Sequence, residues 1–171
     1  MIRILYQDEE LLVVEKPVGL PAQADAAGGD SLPRRLAEQG LPVLPVHRLD
    51  KDTGGVMVYA RTKRAAAGLS AIVGQHEVFR KEYIALLSGC PQPPRGELQD
   101  LLYHDVRRNK SYVVARERRG VRRAALSYAV AGSFEDESGT VSLVRVRLHT
   151  GRTHQIRVQF ASRRMPLLGD T

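Results

Sequence analysis

The 171-residue chain is long enough for one domain with a hydrophobic core and short for two. An apolar content of 43% fits a folded globular protein, the longest apolar runs fall far below the ~18 residues of a membrane span, and Met1 to Asp8 lacks a signal peptide's apolar region. Lys and Arg outnumber Asp and Glu by 26 to 19, a net charge of +7, and the lone Cys90 excludes an internal disulfide and suits a reducing cytoplasm.

Residues 2–6 and 11–15 read as strands joined by a turn at Asp8-Glu9-Glu10. The second strand runs into Lys16-Pro17-Val18-Gly19 and ends there, because Pro17 cannot donate to a ladder and Gly19 permits a positive φ. Lys16 is open to two readings, a contact to a bound partner or a plain turn lysine. Ala22 to Asp30 is a small-residue loop, expected to be mobile, without a phosphate-binding glycine motif. Asp30 or Ser31 is placed to cap a short helix over Leu32–Gln39, which Gly40 stops.

A polar block follows, His47-Arg48-Leu49-Asp50-Lys51-Asp52-Thr53-Gly54-Gly55, and then the β-branched run Val56 to Ala60. The run is short, apolar and bounded by glycine, so it reads as a buried strand with the polar block in the loop before it. A loop held by a rigid strand is a common place for reactive side chains. Arg48 and Lys51 flank Asp50, and nearby cations keep a carboxylate ionised.

Thr62 caps the next helix, Lys63 to Val73, with Gly74 after it. Val78 to Leu87 reads as a strand on which Lys81 and Tyr83 point to one face. A loop at Pro91 to Pro94 leads into Leu98 to Tyr103. Then comes a basic hairpin with Arg107, Arg108, Lys110, Arg116, Arg118, Arg119, Arg122 and Arg123 against the single acid Glu117. Such a density of cations attracts phosphate backbones without reading sequence. Ala124 to Val130 and Thr140 to Leu148 are further strands; the second alternates Val144, Val146 and Leu148 with Arg145 and Arg147. In the last element, Leu148 to Phe160, Gly151 allows a sharp turn and Thr153 is placed to cap a helix packing Ile156 and Phe160. Arg157 lies on its first turns, where a fixed guanidinium can meet a carboxylate through two hydrogen bonds. Mostly strands with a few short helices indicate an α+β fold with a mixed, mainly antiparallel sheet.

His47-Arg48-Leu49-Asp50-x-x-Thr53, Thr150-Gly151-Arg152-Thr153-His154-Gln155-Ile156-Arg157-Val158, and the weaker Glu15-Lys16-Pro17-x-Gly19 and Lys81-x-Tyr83 occur in one order. Together they resemble the signatures of the RluA-type RNA pseudouridine synthases. Gly54 stands where that family usually has Ser, and Gln159 where it usually has His. The resemblance implies the pseudouridine synthase catalytic fold and isomerisation of uridine to pseudouridine in rRNA or tRNA, with no cofactor and no metal. It implies Asp50 as catalytic carboxylate, Arg157 as its partner, and Tyr83 stacked on the uracil ring. Arg48 is the candidate to fill the space left by a flipped base, and His47, Lys81, Arg152 and His154 are candidate substrate contacts. Covalent attack by Asp50, stabilisation of an oxocarbenium-like state and proton abstraction remain open routes. A monomer is expected, acting on RNA and not on a membrane. The expected organisation is a single catalytic domain, 1–171, without a separate N-terminal RNA-binding domain. Family members continue past the equivalent of Leu168-Gly169-Asp170, so C-terminal strands are expected to be missing.

Rival chemistries fare worse. The histidines His47, His76, His104, His149 and His154 form no His-Glu-x-x-His, and a Cys/His zinc site needs more than one Cys. Asp50-x-Asp52 as a magnesium site is too common a pattern to count. A non-catalytic RNA-binding module, or an inactive fragment of such an enzyme, is the alternative from another class.

Overall fold

The computed structural model describes residues 1–24, 28–137 and 139–170, so the loop expected at 22–30 lies in part outside the described residues. The chain divides into two compact units, Met1–Phe79 and Arg80–Thr171. Each is built on one antiparallel sheet, and with three short helices the chain is α+β, mainly antiparallel, as expected.

In the first unit, β1 (Arg3–Gln7) and β2 (Leu11–Lys16) form the anticipated hairpin. β2 pairs along its full length with β4 (Gly55–Ala60), giving the order β1-β2-β4-β3. Alternation along β2 turns Leu12, Val14 and Lys16 inward. The two-residue β3 (Leu44–Pro45) was not foreseen; it pairs with the end of β4, and Pro45 supplies no donor to extend it. α1 (Leu32–Glu38) starts at Ser31, whose side chain makes no capping bond, while Asp30 pairs with Arg35. α2 (Lys63–Val73) is capped as expected, Thr62 Oγ1 accepting from the Ala65 N–H at 3.1 Å. Leu12, Val14, Leu32, Leu36, Met57 and Tyr59 form the fully buried core of this unit.

In the second unit, β5 (Lys81–Ser88), β6 (Arg95–Asp105), β7 (Lys110–Val114), β8 (Val121–Asp136) and β9 (Gly139–Leu148) assemble in the order β5-β9-β8-β6-β7. β8 runs well beyond the expected 124–130 and carries a register shift between Val130 and Gly132. Val144, Val146 and Leu148 face the core, as the alternation indicated. α3 (Gln155–Ala161) lays Phe160 into that core, its ring edge-on to Tyr128 at 5.8 Å. Truncating such a fully buried Phe costs about 3–5 kcal/mol. The α3 cap corrects the sequence reading: His154, not Thr153, is the N-cap, in a left-handed conformation (φ 55°), and it makes no side-chain cap bond. A conformation costly for a non-glycine residue at this position is held by the loop around it.

Candidate active site

In the first unit the polar loop leaves β3 with its backbone already tied. His47 Nε2 accepts a hydrogen bond from the Val58 N–H at 3.2 Å, continuing the ladder where β3 has stopped, and its ring meets Phe79 edge-on at 5.3 Å. An accepting Nε2 means a neutral ring there. Leu49 packs on the core, while Arg48 stands in solvent and Asp50 is half-exposed. The Asp50 carbonyl accepts from the Thr53 N–H at 3.1 Å, closing the turn that follows.

Lys16 resolves differently from either of its sequence readings. It is 1% exposed, and its ammonium donates to the carbonyls of Pro17 (2.9 Å), Leu20 (2.7 Å) and Lys51 (2.8 Å). The Lys51 carbonyl also accepts from the Gly19 N–H at 2.9 Å. The Lys16–Gly19 loop is thereby stitched to the residue after Asp50. Burial pushes the Lys16 ammonium pKa down, and the carboxylates of Asp52 and Asp50 oppose that shift. Gly54 passes close to this stitch: a Cβ there meets Val18 Cγ2 at 3.2 Å and the Lys16 carbonyl at 3.5 Å. A Cβ there is already a tight contact, so the site favours the smallest residue.

In the second unit, β5 carries Lys81 and Tyr83, register partners of Leu148 and Val146 on β9. Tyr83 packs partly on the core, and burial lowers the Lys81 pKa. Lys81 Nζ lies 3.6 Å from where a Gly151 Cβ would stand, so the strand lysine and the 149–154 loop are neighbours. That loop is organised by Gln155, a residue the sequence reading passed over. Its buried side chain accepts from Thr150 Oγ1 (2.8 Å) and the Arg152 N–H (3.0 Å) and donates to the Ala125 carbonyl (3.0 Å). The Ser111 hydroxyl donates to the Thr153 carbonyl at 2.7 Å, tying β7 to the same loop. His154 presents its ring edge-on to His104 at 6.1 Å. Arg157 on α3 holds Asp170 through two contacts, Nε to Oδ2 at 2.7 Å and Nη2 to Oδ1 at 2.6 Å.

The structure therefore gathers His47, Arg48 and Asp50 with Lys16 on one pair of loops. In the second unit it gathers Lys81, Arg152, His154 and Arg157 around β5, the 149–154 loop and α3. The carboxylate seen on Arg157 is Asp170; its implied pairing with Asp50 belongs to the functional proposal below. The basic run adopts the expected hairpin form, β6 with β7, followed by the turn into β8.

The chain is similar to known proteins along most of its length. The family model described as RNA pseudouridylate synthase matches residues 10–162. Ribosomal large subunit pseudouridine synthase D of Zymomonas mobilis is 36% identical over 180 residues, covering 99% of this chain and 55% of that protein. The dual-specificity RNA pseudouridine synthase RluA of Salmonella typhi is 35% identical over 170 residues, covering 98% of this chain and 74% of that protein. Among solved structures, human RNA pseudouridylate synthase domain containing 4 superposes with a TM-score of 0.76 at 30% identity, covering 98% of this chain and 67% of that one. The chain thus spans about half the length of the first of these relatives. It belongs to the RNA pseudouridylate synthase family, on the RluA/RluD side that its signature loops resemble.

Proposed function

We propose that the protein isomerises uridine to pseudouridine within an RNA chain, rRNA or tRNA, with Asp50 as the catalytic carboxylate. The observation that carries the reading is the placement of Asp50. It is a half-exposed carboxylate on a loop whose next residue is fixed by a buried lysine and whose previous residue packs against the core. Such a support holds a reacting group in position before substrate arrives. The glycosidic bond breaks, the uracil turns over, and a carbon–carbon bond forms; atoms balance without redox change or outside energy. The target base leaves the stack at a cost of a few kcal/mol, and exposed Arg48 fills the vacated space. Tyr83 stacks on the uracil, worth ~1–3 kcal/mol. The family resemblance assigns Arg157 the role of orienting the catalytic carboxylate. His47 fixes the loop, and Lys81, Arg152 and His154 meet the RNA.

The test is tritium release from RNA labelled at the uracil carbon that becomes the new glycosidic carbon, with Asp50→Asn as control. Release by the native chain and none by the variant, with RNA affinity retained, is the expected result. Equal release by both removes Asp50 from the chemistry. The basic hairpin favours one second reading, a non-catalytic RNA binder, which retains affinity and forms no product.

A further inference from the structure

The turn between β7 and β8 borders an open cavity of about 530 Å³ lined by Arg118, Arg122, Arg123 and Arg152 together with Glu117, Leu101 and Val121. Three of the four guanidiniums are placed by contacts of their own. Arg118 lies over the Tyr103 ring at 4.9 Å from its centroid. Arg152 donates through Nε to the Arg123 carbonyl at 2.9 Å, which joins the cavity to the 149–154 loop. Among the described residues Arg118 and Arg122 form no ion pair. Arg123 does: its Nε and Nη2 both donate to one carboxylate oxygen of Glu117, at 3.1 and 2.9 Å. Glu117 is the only acid of the basic run, and it lines this same cavity.

Four guanidiniums around one opening suit an anion with several oxygens, and planar forks match phosphate geometry well. An ion pair this exposed, with side chains 84% and 63% accessible, adds little to stability. Its position against the cavity wall therefore matters more for binding than for folding. We propose that the cavity seats a backbone phosphate of the RNA outside the target nucleotide, and that Glu117 is an internal competitor for Arg123 that a phosphate must displace. This rests on the RNA reading above. The Glu117 carboxylate lowers the grip of the seat, a device that favours release of a long polyanion after turnover. A phosphate arriving at Arg118, Arg122 and Arg152 takes over Arg123 as Glu117 swings into solvent.

The experiment is a salt titration of the binding of a labelled uridine-containing RNA stem–loop to the full chain and to Glu117→Gln, Arg122→Ala and Glu97→Gln. Glu97 is exposed on β6 and gives the same charge change away from the cavity. One extra phosphate contact releases one counterion, with an exponent of about 0.7–0.9, which is roughly five- to eightfold in affinity at 0.1 M salt. Arg122→Ala is expected to weaken binding by about that factor and to flatten the salt slope by nearly one. Glu117→Gln is expected to tighten binding a few-fold at an unchanged slope, because both chains make the same phosphate contact once the carboxylate is displaced, and Glu97→Gln to change neither. If the native chain binds and the two Glu variants behave alike, the seat and its competitor are overturned while the RNA reading stands. If the native chain does not bind the RNA even at low salt, the RNA reading falls and takes this inference with it.

Discussion

The ammonium of Lys16 and the carbonyl of Lys51 stand 2.8 Å apart, a buried bond that ties the end of β2 to the residue following Asp50. Lys16→Met keeps the length and the apolar stem but leaves the Pro17 and Leu20 carbonyls without this donor, while the Lys51 carbonyl keeps only the Gly19 N–H. Each unsatisfied buried group costs about 1–3 kcal/mol, offset in part by relief of the buried charge. The net expectation is a loss of about 2–4 kcal/mol, read as a lower urea midpoint at unchanged slope. Turnover falls with it, because the Asp50 loop loosens, while RNA affinity stays near the parent value. A stable variant with weakened RNA binding restores the reading of Lys16 as an RNA contact.

Gln155 plays the corresponding part in the second unit, spending its amide on Thr150, Arg152 and Ala125. Gln155→Glu retains the acceptors but turns a carboxylate oxygen toward the Ala125 carbonyl, replacing a hydrogen bond with repulsion between two acceptors. A loss of about 2–3 kcal/mol is expected. It should appear as faster amide hydrogen exchange over 149–155, with β9 still protected. Uniform loss of protection across the unit means that Gln155 holds the core rather than the loop.

Most of the fold was legible because its signals are local. The β2–β4 core alternates or runs apolar, Thr62 and Gly74 bracket α2, and the β9 alternation gives its inward face directly. β3 escaped because two residues carry no period, and the α3 cap because a left-handed His154 is imposed by contacts of the loop, not by its own preference. The candidate residues were legible through motif resemblance, but their supports were not. Lys16 continues the inward rhythm of Leu12 and Val14, but the sequence reading ended the strand at residue 15 and left Lys16 in the turn. Gln155 gave no sign, since its partners lie on β8 and in the preceding loop. Asp170 as the partner of Arg157 is likewise a contact between an element and the chain beyond it, with no spacing to announce it.

Gln159, where the family usually has His, is fully buried and donates to Asp100 Oδ2 at 2.7 Å, while Arg163 grips both oxygens of the same carboxylate at 2.9 and 3.2 Å. Asp100 is 12% exposed, so Asp100→Ala strands a guanidinium and a buried amide together. A loss of about 3–5 kcal/mol is expected. The side-chain amide oxygen of Gln159, Oε1, is buried without a partner among the described residues. Gln159→His keeps a donor for Asp100 and puts the second ring nitrogen in place of the orphaned amide oxygen, so it is expected to lie within about 1 kcal/mol of the native chain. Urea melts of the two variants check both statements, and a strongly destabilised Gln159→His means that the imidazole does not fit beside Asp100.

Asp8 gives the clearest dependence on pH. Its carboxylate accepts from the Leu11 N–H (2.7 Å), the Tyr6 hydroxyl (2.8 Å) and the Glu10 N–H (2.8 Å), closing the β1–β2 turn. The bond from Leu11, then those from Tyr6 and Glu10, hold the Asp8 pKa below the ordinary carboxylate value. A carboxyl more acidic folded than unfolded stabilises the fold wherever both states are ionised, and the benefit disappears as pH falls through the folded pKa. Asp8→Asn keeps a carbonyl acceptor for Leu11 and removes the charge. The native chain should therefore melt above the variant at neutral pH, and the gap should close progressively below the ordinary carboxylate pKa. Melting temperatures of both chains through the acid range decide the matter. A gap that stays constant with pH traces the difference to the shape of the turn and not to the charge of Asp8.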